Sequence, residues 1–147
     1  MKQKIILLLV ALVAVFFISF LIQKDDSPFK TTKNAILNGA TLQLAIADTD
    51  ALRAQGLSYL KSIPDGAGMF FIFNEPGYLG FWMKDMNFPI DIIWFDEFYR
   101  VVNVQENLSP ATYPQVFTPQ VLAQYVLEVP AHFVTTHNIK IGDQISF

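Results

Sequence analysis

Apolar and polar residues alternate along much of the chain, and the first such stretch is "TLQLAIA", Thr41–Ala47. Leu42, Leu44 and Ile46 fall on one side and Thr41, Gln43 and Ala45 on the other, the pattern of a half-buried strand. "ADTDALRAQGL" then changes period. Asp48 or Thr49 supplies a cap, Asp50 suits a first helical turn, and Leu52 with Gly56 or Leu57 makes a short apolar face that Gly56 weakens or ends. "SIPDGAG" is a turn-rich loop, and "MFFIF" is a continuous apolar run suited to a strand covered on both faces. After "NEPG" the pattern predicts strands at Gly80–Lys84, Ile90–Phe95, Val101–Leu108 and Val121–Val129. The proline-rich "SPATYPQVFTP" is an irregular loop before the last of these. Pro130 opens a short helix through about His137, and "NIKIGDQISF" closes with a Gly-Asp turn and a final strand. These elements predict a mainly β fold, a compact antiparallel β-sandwich or barrel with two short helices. No Gly-rich loop follows a strand and no long helices alternate with strands, which argues against a dinucleotide-binding fold.

The first residues follow another rule. "MKQKIILLLVALVAVFFISFLIQKDD" has two lysines and then an apolar run, Ile5–Ile22, broken only by Ser19. As a helix this run is about 27 Å long, close to the hydrocarbon thickness of a bilayer. The competing reading is a cleavable secretory signal, but the run ends in bulky residues where a peptidase requires small ones. The expected organisation is one N-terminal transmembrane helix acting as anchor or signal segment (1–24), a linker (25–37) and a globular domain (38–147). Lys2 and Lys4 favour a cytoplasmic N-terminus, so the expected location is a single-pass membrane protein with its domain outside the cytoplasm.

Composition narrows the function classes. With 147 residues, 52% hydrophobic and 16% charged, the chain is one domain plus at most an appendage. Met1–Lys33 carries a formal charge of +3, which leaves −6 of the total −3 on Asn34–Phe147. An acidic domain with scattered cations offers phosphates no basic stripe, so nucleic acid is not an expected partner. Cysteine is absent, which removes disulfides, thiol catalysis and thiolate metal sites.

The ordered motifs "IADTDALRAQGL", "GMFFIF", "FWMKDMNFPIDIIWFD" and "VLEVPAHFVTTHNIKIGDQI" together resemble the prokaryotic family catalogued as domain of unknown function 192. The family pattern has an arginine followed by Gly-Leu, a Gly-Met-Leu-Phe-like strand, and Phe-Trp-Met-Lys-Asn-Thr before Pro-Leu-Asp-Ile. A tyrosine-containing strand ending in Glu and Pro follows, then a Gly-Asp ending. The resemblance covers about Leu42–Ile145 and implies a compact mainly β fold, often behind a signal sequence or a single membrane anchor. It implies no activity. Asp85-Met86 replaces the family's Asn-Thr, Ser58-Tyr59 stands where a Met often follows Gly-Leu, and "DEFYR" lacks the usual turn glycine.

Candidate chemistry gathers in "GFWMKDMNFPIDIIWFD". Strand parity puts Phe81 and Met83 on one face and Trp82 and Lys84 on the other; later, Asp91, Ile93 and Phe95 oppose Ile92, Trp94 and Asp96. Lys84 and Asp91 flank a short loop and are expected to meet across a hairpin. The simplest reading is a structural ion pair. Another is a pocket for a small polar or anionic ligand, with Arg53, Trp82, Lys84, Asp91, Tyr125 and Glu128 as the candidate binding residues. Glu128 either pairs with Arg53 or faces solvent. Asp96, Glu97 and Asp143 read as turn residues, and His132 and His137 are spaced so that they do not stack on a helix. No three groups have zinc or calcium spacing, no serine sits in a nucleophile elbow, and no cofactor is expected.

Three functions stay open. The leading one is a tethered outward-facing module that binds a small molecule or an envelope protein partner. An envelope enzyme using Asp91 as base with Lys84 as helper is the alternative, and a structural accessory of a membrane complex is the third. The first two differ in the site: an enzyme needs a desolvated ionisable group at the bottom of a cleft, with its pKa displaced.

Overall fold

The computed structural model describes residues 28–30 and 32–147, without the Lys30 side chain. The expected N-terminal membrane helix lies outside the described residues. Among the described residues no helix is long and apolar enough to cross a membrane. The strands are β1 (Thr32–Leu37), β2 (Ala40–Ala47), β3 (Ala67–Gly77), β4 (Phe81–Trp82), β5 (Ile90–Phe95), β6 (Val101–Leu108), β7 (Val116–Phe117), β8 (Ala123–Pro130) and β9 (Ile145–Ser146). Two short α-helices are α1 (Asp50–Gln55) and α2 (Phe133–Thr136).

Seven strands form one sheet in the order β6-β5-β8-β3-β2-β1-β9, and β4 and β7 pair as a separate ribbon. The sheet curls into a half-barrel. At one end the residues leading into β9 reach the start of β6, through an Arg100–Gln144 bridge and a bond from the Val101 amide to the Asp143 carbonyl (2.8 Å). The mainly β class and the two short helices are as expected. The sheet is antiparallel, as expected, except at one pair, where β2 and β3 run parallel. The cause is the crossover between them: Thr49 caps α1 by accepting from the Leu52 amide, Gly56 ends it at φ 53°, and the loop returns the chain to the start of the sheet.

The central strands are buried on both faces. All six residues of β5 are buried, and parity sends them to two cores. Ile93 and Phe95 join Leu42, Leu44, Phe70 and Leu127 inside the curl. Ile90, Ile92 and Trp94 join Met69, Phe71, Leu57 and Val126 on the outer face, beneath α1 and the β4–β7 ribbon. The Trp94 indole N–H donates to the Leu79 carbonyl (2.9 Å), so the largest core side chain leaves no polar atom stranded.

Three boundaries differ from the pattern. Thr32–Leu37, expected as linker, is a sheet strand; only Ala35 and Leu37 point into the core, too brief an alternation to stand out. Pro130 ends β8 rather than opening a helix, and α2 starts at Phe133 after a left-handed His132 (φ 71°). The strand expected at Gly80–Lys84 shrinks to Phe81–Trp82 and pairs with β7, while β5 pairs with β6 and β8.

That last difference overturns the Lys84–Asp91 hairpin. Without it the two side chains are not cross-strand neighbours, and no ion pair forms between them. Asp91 shares its face with Ile93 and is fully buried inside the curl. There its carboxylate accepts from three backbone amides: Val134 (2.9 Å) and His132 (3.3 Å) at the head of α2, and Asn107 (2.8 Å) on β6. A carboxylate so placed replaces its lost hydration with charge-assisted hydrogen bonds and ties three elements together. Asp91→Asn keeps one acceptor and turns an NH2 group toward the donors. It is expected to lower unfolding stability by on the order of 3 kcal/mol, whereas Lys84→Met changes it little; urea denaturation of both variants checks this.

Candidate functional site

The one buried charged residue besides Asp91 among the described residues is Glu128, on β8. It lies directly across from Met69 on one side and Ile92 on the other, both fully buried, so parity commits it to the outer core. Its Oε2 has no hydrogen-bond partner. Burial among apolar neighbours pushes its carboxyl up to about 8, which leaves it mostly in the acid form at neutral pH.

Above Glu128 opens a cleft of about 260 Å³. One wall is the end of α1 and the residues after it, from Arg53 to Ser58; the other is the ribbon edge, Gly80–Trp82, with Lys84 and Met86 at the rim and Phe71 and Phe73 deeper. Gly56 matters for room. A Cβ there would lie 3.6 Å from the Phe71 ring and 3.9 Å from Glu128 Oε2, at a φ of +53° that side chains rarely adopt.

Arg53 is held in a fixed pose. Past Phe71 the parallel ladder of β2 and β3 ends, and the Ile72 carbonyl accepts from Arg53 Nη1 (2.7 Å). Nη2 pairs with Asp50 one turn earlier on α1, and the guanidinium lies 5.2 Å from the Phe73 ring centre. Two of its five N–H groups are thus used. Lys84 is exposed, with Nζ 5.7 Å from the Trp82 ring centre, as the shared face of those two residues requires.

The rim is fixed by hydrogen bonds between residues 58–60 and 84–87. The Tyr59 amide donates to the Asp85 carbonyl (2.8 Å), the Ser58 hydroxyl to the Lys84 carbonyl (3.0 Å), and the Asn87 amide group to the Leu60 carbonyl (2.9 Å). The Tyr59 hydroxyl also donates to the Asp85 carboxylate (2.8 Å), which raises the Tyr59 pKa. Asp85 has a left-handed backbone (φ 56°), a conformation Asn and Asp tolerate better than other side chains. That explains how Asp85 stands where the family pattern has Asn. Met86 lines the cleft where the pattern has Thr, and replaces a hydroxyl with an apolar chain.

The structure therefore brings Arg53, Trp82, Lys84 and Glu128 together and leaves Asp91 and Tyr125 out. Tyr125 is on the inner face, stacked on Tyr99 at 4.4 Å between ring centres, and the adjacent Tyr99 hydroxyl pushes its pKa up to about 12. Arg53 does not pair with Glu128. Phe71, Phe73, Phe81 and Gly56 also line the cleft. Alternation placed the first three only as core, and Gly56 only as a helix end. Among the described residues no cluster of three or more His, Asp or Glu could hold a metal.

Glu128 ties stability to pH. The unfolded carboxyl loses its proton near 4.5 and the folded one near 8, so across that window the folded protein binds more protons and stability falls as pH rises. The loss is about 1.36 kcal/mol per unit of pH while the difference lasts, and it levels off above the folded value. Glu128→Gln has nothing to ionise, so its stability is expected to stay flat across this window and to exceed wild type at pH 9. Thermal melts from pH 5 to 9 measure this, and parallel curves for the two proteins would contradict it.

Known proteins are similar to this chain in fold and in sequence. A crystal structure of a protein of unknown function from Novosphingobium aromaticivorans superposes with a TM-score of 0.75 at 27% identity, covering 79% of this chain and 85% of that one. A putative transcription regulator from Sinorhizobium meliloti gives 0.74 at 26% identity, covering 79% and 93%. UPF0127 proteins of Thermococcus kodakarensis and Thermococcus gammatolerans are 29% and 28% identical over 71% and 79% of this chain. The match spans 64% of the first relative's length and 71% of the second's. The family model described as "Uncharacterized ACR", domain of unknown function 192, matches residues 32–147, and the chain belongs to that family.

Proposed function

We propose that the cleft binds a small molecule through a carboxylate or similarly small anionic group. The carrying observation is the buried, unpartnered Glu128 carboxyl at the floor of a cleft whose other ionisable groups, Arg53 and Lys84, are cationic. In its acid form Glu128 donates a hydrogen bond to an anion instead of repelling it. The Arg53 guanidinium and the Lys84 ammonium supply the charge, and Phe71, Phe73, Phe81 and Trp82 supply the apolar walls usual for small-molecule sites. The Ile5–Ile22 run and the lysines before it support a tethered domain that works outside the cytoplasm. The regulatory role in the Sinorhizobium relative's name finds no support in a domain with a formal charge of −6 and no basic stripe.

A second reading is favoured by the same carboxyl. A group that titrates near 8 in a cleft is suited to proton transfer, so an enzyme here would use Glu128, not Asp91, as its acid or base. The cleft provides that carboxyl with no second acid–base group: the Ser58 hydroxyl is committed to the Lys84 carbonyl, and Lys84 is at the exposed rim. Binding is therefore the first reading.

Calorimetric titration of the full chain with a panel of small carboxylates and phosphate monoesters tests both. Affinity is expected to fall roughly tenfold or more between pH 6 and pH 9 as Glu128 ionises. Arg53→Gln should abolish binding, and Glu128→Gln should retain it while losing the pH dependence. No binding by any anion at either pH rejects the first reading. Turnover of a bound compound that disappears in Glu128→Gln establishes the second.

A further inference from the structure

The β4–β7 ribbon has a property that the cleft does not need. Of eleven large hydrophobic side chains exposed among the described residues, six are on the two segments that form or flank it: Tyr78, Trp82, Tyr113, Val116, Val121 and Leu122. These segments run side by side, since Phe81 and Trp82 pair with Phe117 and Val116, and Gly77 pairs with Ala123. Phe81 and Phe117 turn inward onto the outer core, leaving Trp82 and Val116 half exposed, with Tyr113 edge-on to Trp82 at 5.9 Å between ring centres. Charge is missing here too. Pro76–Met83 and Asn107–Leu127 contain no Asp, Glu, Lys, Arg or His, in a domain that elsewhere carries −6. The nearest cation is Lys84, at the end of the ribbon over Trp82.

The chain itself indicates what covers this face. The described residues begin at Pro28, and Phe29 packs against the same outer core that the ribbon covers. The apolar run of the sequence ends at Ile22, and the six residue steps to Pro28 span at most about 22 Å. The outer face is thus the side of the sheet on which the chain arrives from its apolar segment. An uncharged surface of Trp, Tyr, Val and Leu with a lysine at its border has the composition that settles at the headgroup level of a bilayer.

From these placements we infer that the β4–β7 ribbon rests on the membrane surface, its exposed aromatic and aliphatic side chains in the interfacial layer and Lys84 among the headgroup phosphates. The cleft, walled by Gly80–Trp82, then opens at the lipid boundary. Trp82 and Lys84 belong to both the ribbon and the cleft lining, whereas Leu122 lines no part of the cleft, so a change at Leu122 separates lipid contact from anion capture.

The two tryptophans make the test direct, because Trp94 is fully buried and Trp82 is half exposed. The full chain is reconstituted into phosphatidylcholine vesicles containing phosphatidylcholine brominated near the carbonyl end of its acyl chains. Trp82 emission is expected to be quenched by the brominated lipid and shielded from aqueous iodide. The quenched component should vanish in Trp82→Phe, which leaves the buried Trp94 as control. Leu122→Glu, which places a charge on the ribbon, should restore most of the Trp82 emission and admit iodide. Trp82 emission that ignores brominated lipid but yields to iodide overturns the inference. Emission insensitive to both overturns it as well, and assigns the ribbon to a contact with a second copy of this chain.

Discussion

Strands β5 and β8 have core on both faces, and that constraint governs every polar side chain they carry. A surface strand can turn a carboxylate toward water; a strand sandwiched between two apolar layers cannot, so each charge on it must find partners inside or give up its ionisation. The two acidic residues on these strands illustrate the two outcomes. Asp91 meets three backbone amides and holds α2 against β5 and β6 of the sheet. Glu128 meets no partner at Oε2 and keeps its proton. One residue closes a fold and the other leaves an unmet hydrogen-bonding demand facing a cleft.

Parity therefore separates the structural acid from the chemical one. Both are in register with apolar neighbours on adjacent strands, but odd-numbered β5 positions point into the curl while Glu128 points under α1 and the ribbon. Residues far apart in sequence complete the cleft because α1 and the ribbon are both appended to the outer face. The parallel crossover delivers Arg53 and Gly56 from one direction, and the turn after β3 delivers Phe81, Trp82 and Lys84 from the other.

How much of this was legible in the sequence follows from the range of the forces involved. Alternation gave the faces of β2 and β5 correctly, and a cap at Asp48 or Thr49 with a glycine at Gly56 marked α1, because those signals are local; Thr49 proves to be the cap. It also put Trp82 and Lys84 on one side. The motif resemblance identified the family. Pairing partners were not legible: nothing within "DMNFP" says that β4 joins β7 instead of β5, and on that choice the fate of Asp91 turns. Nor can a strand pattern distinguish a glutamate at a wet strand end from one under a helix that arrives from seventy residues earlier. Pro130 misled for a related reason, since proline suits the last residue of a strand as well as the first turn of a helix.

The outer strand β6 raises the matter of self-association by strand addition. It is one margin of the seven-stranded sheet, and it carries Asn103, Gln105 and Glu106 with register shifts against β5 near both ends. Irregular pairing bends and twists such a margin, and the Glu106 carboxylate, bonded to the Thr135 hydroxyl (2.6 Å), sets charge beside it. A second chain seeking to extend the sheet meets a curved, polar template of short run. Strand addition at β6 therefore meets a bent and charged margin, not the flat apolar template that favours stacked sheets.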